Sequence, residues 1–298
     1  MALTAGLFKI PFGYEVGQSD TERLFLERSA VIQEFFPGEY DLGARLAGGW
    51  RFVRYAIAVQ NGEPVGEKTF PQRDPNSAKD VSGRLGIDAP LAENAFVAAG
   101  FSALTGTGFH KGLAPTKSGV TWNDRNENNS VDPGEMIAVP AKAAIPSQNF
   151  SRNALGVDGR FTVRTETLGA SMLYGEIVWA KNLGRGSRFF AGPVAMGRDV
   201  QGFGYNLALT QDIYHHVQVG IRYDHYDPDR DATDVQGAKT VPSTLAYDMW
   251  AFAAAIRTAG ARLVAEFDLN RNHNGRDSAG MPTNLADNTF SLRAEVSF

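Results

Sequence analysis

The sequence predicts an all-β fold, a transmembrane antiparallel β-barrel of about 12 strands. Three observations lead to this prediction. Apolar and polar residues alternate with period two along segments of about ten residues, as in strands whose two faces meet different surroundings. Tight turns alternate with long polar loops along the chain, and aromatic residues cluster near the ends of the alternating segments, which is typical of membrane barrels.

The alternation is clearest in the last segment, NTFSLRAEVSF. Phe290, Leu292, Ala294 and Val296 are apolar, the residues between them are polar, and Phe298 is expected to close the last strand at the periplasmic rim. ARLVAEFDLN, VQVGIRYDHY, FGYNLALT and RFVRYAIAVQ repeat the pattern, whereas STLAYDMWAFAAAIR could turn either face to the apolar side. A lipid-spanning sheet must close on itself to satisfy its backbone groups, so we expect one barrel domain over residues 1–298.

The connections support a membrane barrel over a soluble one. GGWR, TLGA and TAGA are tight turns, whereas long polar stretches such as residues 110–153 are expected to be extracellular loops. A soluble sandwich or lipocalin-like barrel also alternates. Such a barrel points its apolar side chains inward, however, and rarely places Arg, Glu and Asp at successive inner positions. The expected location is the bacterial outer membrane.

Composition excludes some classes of function. The net charge of -4 argues against nucleic acid as a partner. The absence of cysteine excludes disulfides and thiolate metal sites. The partners expected for an outer-membrane pore are outer-membrane lipid and small solutes or inorganic anions.

One segment breaks the strand rhythm and carries a family resemblance. GLFKIPFGYE is followed by FLERS, PGEYDLGARLAG and AVQNG within roughly residues 6–62. These motifs resemble the phosphate-selective porin family, the porin O and P family. The resemblance implies that residues 15–39 form an inward-folded constriction loop. It also implies a sixteen-stranded and usually trimeric pore, so a homotrimer is expected. This chain departs from the family pattern in that it lacks about four N-terminal strands.

The function expected from the sequence is an outer-membrane porin. Such a protein forms a water-filled channel for passive diffusion of small hydrophilic solutes or ions and is not an enzyme. Arginines that hold oxyanions would give the channel a preference for anions. Charges paired across neighbouring strands would instead stabilise a wet wall. The residues expected to line or narrow the pore are Lys9, Glu15, Glu22, Arg23, Glu27, Arg28, Arg45, Arg54, Arg84, Arg160, Arg164, Arg222, Arg262 and Arg293.

A loop between the alternating segments matches the spacing of a calcium site. DRNENNSVDPGE has oxygen-bearing residues at the positions that a twelve-residue calcium loop uses, and asparagine replaces the usual glycine at position six. An Asn- and Asp-rich loop made only of Asx turns would show the same composition. The candidate ligands for Ca²⁺ are Asp124, Asn126, Asn128, Ser130, Asp132 and Glu135.

Two alternatives to a porin remain open. An outer-membrane barrel enzyme would need a nucleophile or activated water beside a histidine and a carboxylate. His225 lies near Asp224 and Asp227, but no G-x-S-x-G motif occurs. An adhesin or structural barrel without a conducting lumen is the second alternative.

Overall fold

The computed structural model describes residues 1–64, 74–123, 128–184, 192–214, 216–236, 239–243, 245–276, 278 and 282–296. Phe298, Asp124 and Asn126, to which the sequence analysis gave roles, lie outside these residues. Among the described residues no helix is long and apolar enough to cross a membrane.

Twelve antiparallel strands form one large sheet, which confirms the predicted fold class and strand number. Each strand pairs with its neighbour in chain order, apart from short strands inserted in the loops. Within the described residues no pairing joins the first strand of the sheet to the last. The strands of the sheet are β1 (Ala2–Lys9), β2 (Tyr40–Trp50), β3 (Val53–Gln60), β4 (Asp80–Ala92), β5 (Ala95–His110), β8 (Gln148–Thr165), β9 (Gly169–Lys181), β10 (Gln201–Ile213), β11 (Val217–Asp227), β14 (Tyr247–Thr258), β15 (Ala261–Asn272) and β18 (Thr289–Val296).

The remaining elements are short and lie in the long connections. The expected loop over residues 110–153 is shorter than predicted, because β5 ends at His110 and β8 begins at Gln148. Between them an exposed hairpin extends the connection. The short elements are α1 (Ala30–Phe35), β6 (Gly119–Trp122), β7 (Met136–Val139), α2 (Pro193–Met196), β12 (Thr233–Gln236), β13 (Lys239–Pro242), β16 (Gly275–Arg276) and β17 (Pro282–Thr283).

The two faces of the sheet differ as the alternation predicted. Large aliphatic side chains on the outer face are exposed, for example Leu85 at 59% and Leu207 at 55%. Inward positions on the same strands hold small or polar buried residues, such as Ser82 and Ala208. Exposed leucines suit a surface that faces lipid hydrocarbon, where apolar side chains need no cover.

The ambiguous segment before β15 has its alanines inside. Ala251, Ala253 and Ala255 are buried, whereas Trp250 and Phe252 are 42% exposed on the outer face. The interior of this strand is therefore lined by small side chains, which leave room for a further layer of chain within the barrel.

That layer is the folded-in segment, residues 10–39, which connects β1 to β2 and contains α1. It is longer than the predicted loop of residues 15–39, because β1 ends at Lys9 and does not continue through Tyr14. Its apolar side chains form two buried clusters with the inner wall. Phe12, Phe25 and Phe35 are each 1% exposed, and complete burial of such a side chain contributes about 1.5–3 kcal/mol.

Candidate functional site

Wall carboxylates hold the folded-in segment by its main chain. Glu176 on β9 accepts a hydrogen bond from the backbone N–H of Glu15, and Glu266 on β15 accepts one from Leu26. Asp224 on β11 accepts the N–H of Ala30, the first residue of α1, at 3.2 Å. The first N–H groups of a helix have no partner within the helix, so the bond from Ala30 to Asp224 satisfies one of them at the start of α1.

Wall arginines hold the carbonyl groups of the same segment. Arg222 Nη1 donates to the carbonyl of Glu27 at 2.9 Å, and its guanidinium lies 4.6 Å from the centre of the Phe25 ring. Arg262 donates to the carbonyls of Thr21 and Arg23 at 3.0 and 2.6 Å. Arg293 reaches the carbonyl of Leu26 at 3.4 Å. These arginines therefore serve as clamps for the segment.

The segment also binds itself through a buried carboxylate. Glu15 is 1% exposed, and its Oε2 accepts the N–H of Ser29 at 2.9 Å and the hydroxyl of Ser29 at 2.6 Å. Asn206 on β10 donates to the same hydroxyl at 2.8 Å. The bend between the two apolar clusters is thus fixed by hydrogen bonds to groups that have no access to water.

Glycines on the inner wall allow the segment to lie close. A Cβ added at Gly204 would lie 2.7 Å from the Val31 side chain, and one at Gly220 would lie 2.6 Å from Leu24. Within the segment Gly13 has φ of +60°, and a Cβ there would collide with the carboxylate of Glu176. A larger residue at any of these positions would push the segment off the wall.

A cavity of about 680 Å³ remains between the segment and the wall on the side of β1–β5 and β8. Five cationic and two carboxylate side chains line this space, which we call the basic pocket. Its aromatic lining includes Phe8 and the tyrosines Tyr14, Tyr40 and Tyr55. The charged residues of the basic pocket are Lys9, Arg45, Arg54, Arg84, Arg160, Glu22 and Asp88.

Three of the five cations are engaged with protein groups. Arg84 Nε donates to Asp158 Oδ2 at 2.9 Å. Lys9 lies 3.0 Å from Glu39 Oε2 and also donates to the carbonyl of Gln18. Arg54 donates to carbonyls of its own turn. Each of these contacts lowers the capacity of the cation to bind a ligand.

Arg45 and Arg160 each lie over the face of an aromatic ring. The Arg45 guanidinium lies 5.4 Å from the centre of the Phe8 ring, and its buried Nε has no hydrogen-bond partner among the described residues. The Arg160 guanidinium lies 5.4 Å from the Tyr14 ring, with Asp88 at the long distance of 4.0 Å. Stacking fixes a guanidinium plane while its N–H edge can still donate.

The structure divides the residues predicted from the sequence into three groups. One group lines the basic pocket: Lys9, Glu22, Arg45, Arg54, Arg84 and Arg160. A second group is buried in the segment or clamps it: Glu15, Arg23, Arg28, Arg222, Arg262 and Arg293. A third group is exposed away from the pocket: Glu27 and Arg164.

The candidate calcium loop is described only from residue 128 onward. Asn129 has φ of +57°, the left-handed conformation expected where a calcium loop has glycine. Glu135 is buried, and its carboxylate accepts hydrogen bonds from the Trp122 indole and the N–H of Asp132, both at 3.1 Å. The described residues contain no cluster of three or more metal-ligating side chains. Calcium binding stays a prediction.

A buried ion cluster near the loop end of the barrel has no counterpart in the sequence analysis. Arg152 is 3% exposed and binds Asp80 at 2.9 Å and the carbonyl of Gly62. Glu63 lies 3.8 Å from the same guanidinium. In the sequence Arg152 resembles every other polar residue of an alternating strand, so no local signal marks it.

Comparisons with known proteins identify the fold. No family model and no curated protein matches the chain. A structure titled outer-membrane expressed OmpT of Vibrio cholerae is similar, with a TM-score of 0.51, 7% identity, and coverage of 99% of this chain and 76% of that one. A second structure, of in-vitro folded OmpT, an outer membrane protein of Vibrio cholerae, has a TM-score of 0.50 and 8% identity. The match covers 99% of this chain and 75% of that one. The chain thus has the fold of an outer-membrane β-barrel, which agrees with the location predicted from the sequence, the bacterial outer membrane.

These findings correct the expectation of a porin with a water-filled channel. The similar structures are titled OmpT, not phosphate-selective porins. In the described residues, side chains of the folded-in segment and of the wall pack together and fill one side of the interior. A water-filled channel would require an open lumen there. The findings support the alternative better, which was an outer-membrane barrel enzyme, or an adhesin or structural barrel without a conducting lumen. The family resemblance and the expected homotrimer stay predictions.

Proposed function

We propose that this outer-membrane barrel binds small anions in the basic pocket. The observation that carries the proposal is the pairing of Arg45 with Phe8 and of Arg160 with Tyr14 inside a cavity of about 680 Å³. Two oriented guanidiniums with donor capacity suit carboxylates or phosphates, which accept paired hydrogen bonds from arginine.

The rest of the pocket fits this chemistry. Arg84 is fixed by Asp158, so its positive charge stays near the ligand although its donors are engaged. Asp158 and Glu39 pair with Arg84 and Lys9, so the five cations of the pocket face four carboxylates, and the remaining positive charge favours anions. The lumen is partly screened from solvent by the segment, which strengthens these charge interactions relative to those on an open surface.

The test is calorimetric titration of the detergent-solubilised barrel with inorganic phosphate and, separately, with succinate. We expect saturable binding that weakens as salt rises, because salt screens the pocket charges. Arg45→Gln and Arg160→Gln should each reduce affinity by about tenfold, the size expected for loss of one charge-assisted hydrogen bond.

Arg164→Gln is the matched control, because Arg164 is exposed and stacks on Phe96 outside the pocket. It should bind as the unaltered protein does. The proposal is refuted if neither anion binds, or if the three variants weaken binding equally.

A catalytic function is not carried over from the similar structures, because a likeness at 7% identity shows the fold alone. The absence of enzymatic activity stays a prediction from the sequence. Among the described histidines, His225 pairs with Asp248 at 2.8 Å and not with Asp224 or Asp227 as its sequence neighbours suggested. This pair lies on the outer face of the wall, away from the basic pocket.

A further inference from the structure

The outer face of β9, β10, β11 and β14 carries a continuous row of rings, which we call the ring row. The ring centres of Trp179 and Phe203 are 5.6 Å apart, and Phe203 and Tyr205 are 5.9 Å apart. The row continues through Tyr223, whose ring is 6.0 Å from Tyr205 and 4.8 Å from Trp250.

A polar group lies within the ring row. His225 stacks on Tyr205 at 5.1 Å with an interplanar angle of 28°. Asp248 Oδ1 accepts hydrogen bonds from the Tyr223 hydroxyl at 2.7 Å and from His225 Nδ1 at 2.8 Å, if that nitrogen carries the proton. Within the described residues, Asp248 Oδ2 and His225 Nε2 have no hydrogen-bond partner, so each can bond a ligand.

The position of the row relative to the membrane limits what can lie against it. His225 and Asp248 are near the strand ends that join the long β11–β14 connection, residues 228–246. Long connections are extracellular in barrels of this class, and aromatic side chains at that height lie at lipid headgroup level. An occupant of the row must therefore have an apolar face for the rings and hydroxyl groups for Asp248 and His225.

We propose that the ring row docks the saccharide headgroup of a glycolipid in the outer leaflet. A sugar ring has a C–H face that stacks on an aromatic ring, and hydroxyls around its edge that bond a carboxylate and an imidazole. Tyrosine and tryptophan combine an apolar ring with a polar group, which suits them to this boundary. An ordinary aromatic girdle needs neither Asp248 nor the stacked His225.

The test uses the full chain in nanodiscs of phosphatidylcholine with a minor fraction of monoglucosyl-diacylglycerol, and native mass spectrometry of the lipids that stay bound. We expect the barrel to retain the glucosyl lipid in excess over its share of the bilayer. Asp248→Asn and Tyr205→Leu should each lower this enrichment by about fivefold, the effect of losing one hydrogen-bonding or ring contact.

Phe101→Leu is the matched control, because it removes an exposed ring from the outer face of β5, away from the ring row. It should retain the enrichment, and heat-modifiable migration in gels shows that each variant is folded. Equal retention of phosphatidylcholine and glucosyl lipid would reduce the row to an ordinary girdle and overturn the proposal. So would enrichment that survives Asp248→Asn and Tyr205→Leu, or a mass spectrum in which a second copy of the chain excludes the lipid.

Discussion

Arg222→Met should release the folded-in segment and destabilise the barrel by about 3–5 kcal/mol, the cost of breaking a buried ion pair from one side. Arg222 is 1% exposed, and its loss leaves Asp224 as a buried, unpaired carboxylate. The substitution also removes the donor to the carbonyl of Glu27. Thermal unfolding in detergent, followed by circular dichroism, measures the loss of stability.

Limited trypsinolysis locates the effect. Arg23 and Arg28 are buried in the segment, so cleavage after either residue reports its release from the wall. Arg164→Met should change neither cleavage nor stability appreciably. Asp224→Asn added to Arg222→Met should recover part of the stability, because it removes the unpaired charge. Arg222→Met with unchanged melting and no cleavage at Arg23 or Arg28 would contradict the clamp.

Glu34 should make the stability of the segment depend on pH. Burial raises the pKa of Glu34 to about 7, while a hydrogen bond from the Tyr247 hydroxyl at 3.4 Å opposes the shift. An unfolded chain releases this proton at a lower pH than the folded protein does, so the folded state binds more protons between these values. Stability therefore falls as pH rises from about 4.5 to 7, by up to about 3 kcal/mol.

Glu34→Gln should remove this loss, because the amide stays neutral at every pH. The measurement is the unfolding free energy of both proteins in urea from pH 4 to 9. The difference between them should be small at pH 4 and grow until about pH 7, where it levels. Glu22→Gln, which alters an exposed carboxylate of the same segment, is the control. Parallel pH curves for Glu34→Gln and the unaltered protein would contradict the prediction.

The inner and outer faces of the wall strands could be predicted from the sequence, because period-two alternation is a local property of each strand. Outer positions such as Leu85 and Leu207, and inner ones such as Arg84 and Arg222, follow from it directly. The role of each inner arginine does not follow. Arg84 and Arg222 look alike along their strands, yet Arg84 lines the basic pocket and Arg222 clamps Glu27. The difference depends on where residues 10–39 lie in three dimensions.

One signal for that placement was present in the sequence. Gly204, Ala208 and Gly220 occupy inner positions where a wet barrel wall would have polar side chains. Residues without bulk mark the surface against which another part of the chain packs, and Val31 and Leu24 lie there. The basic pocket has no such signal, because its cations are brought together from strands far apart in the sequence.

The wall binds the folded-in segment mainly through main-chain groups, and this affects how well the segment tolerates substitutions. Glu176, Asp224, Glu266 and the clamping arginines contact N–H and carbonyl groups, which every residue except proline provides. Side chains that face the basic pocket, such as Glu22 and Tyr14, are therefore under weaker constraint than the fold of the segment itself. Substitutions of pocket-facing residues can then change the ligand preference while the segment stays bound to the wall. The segment is therefore a suitable place to engineer new binding specificities.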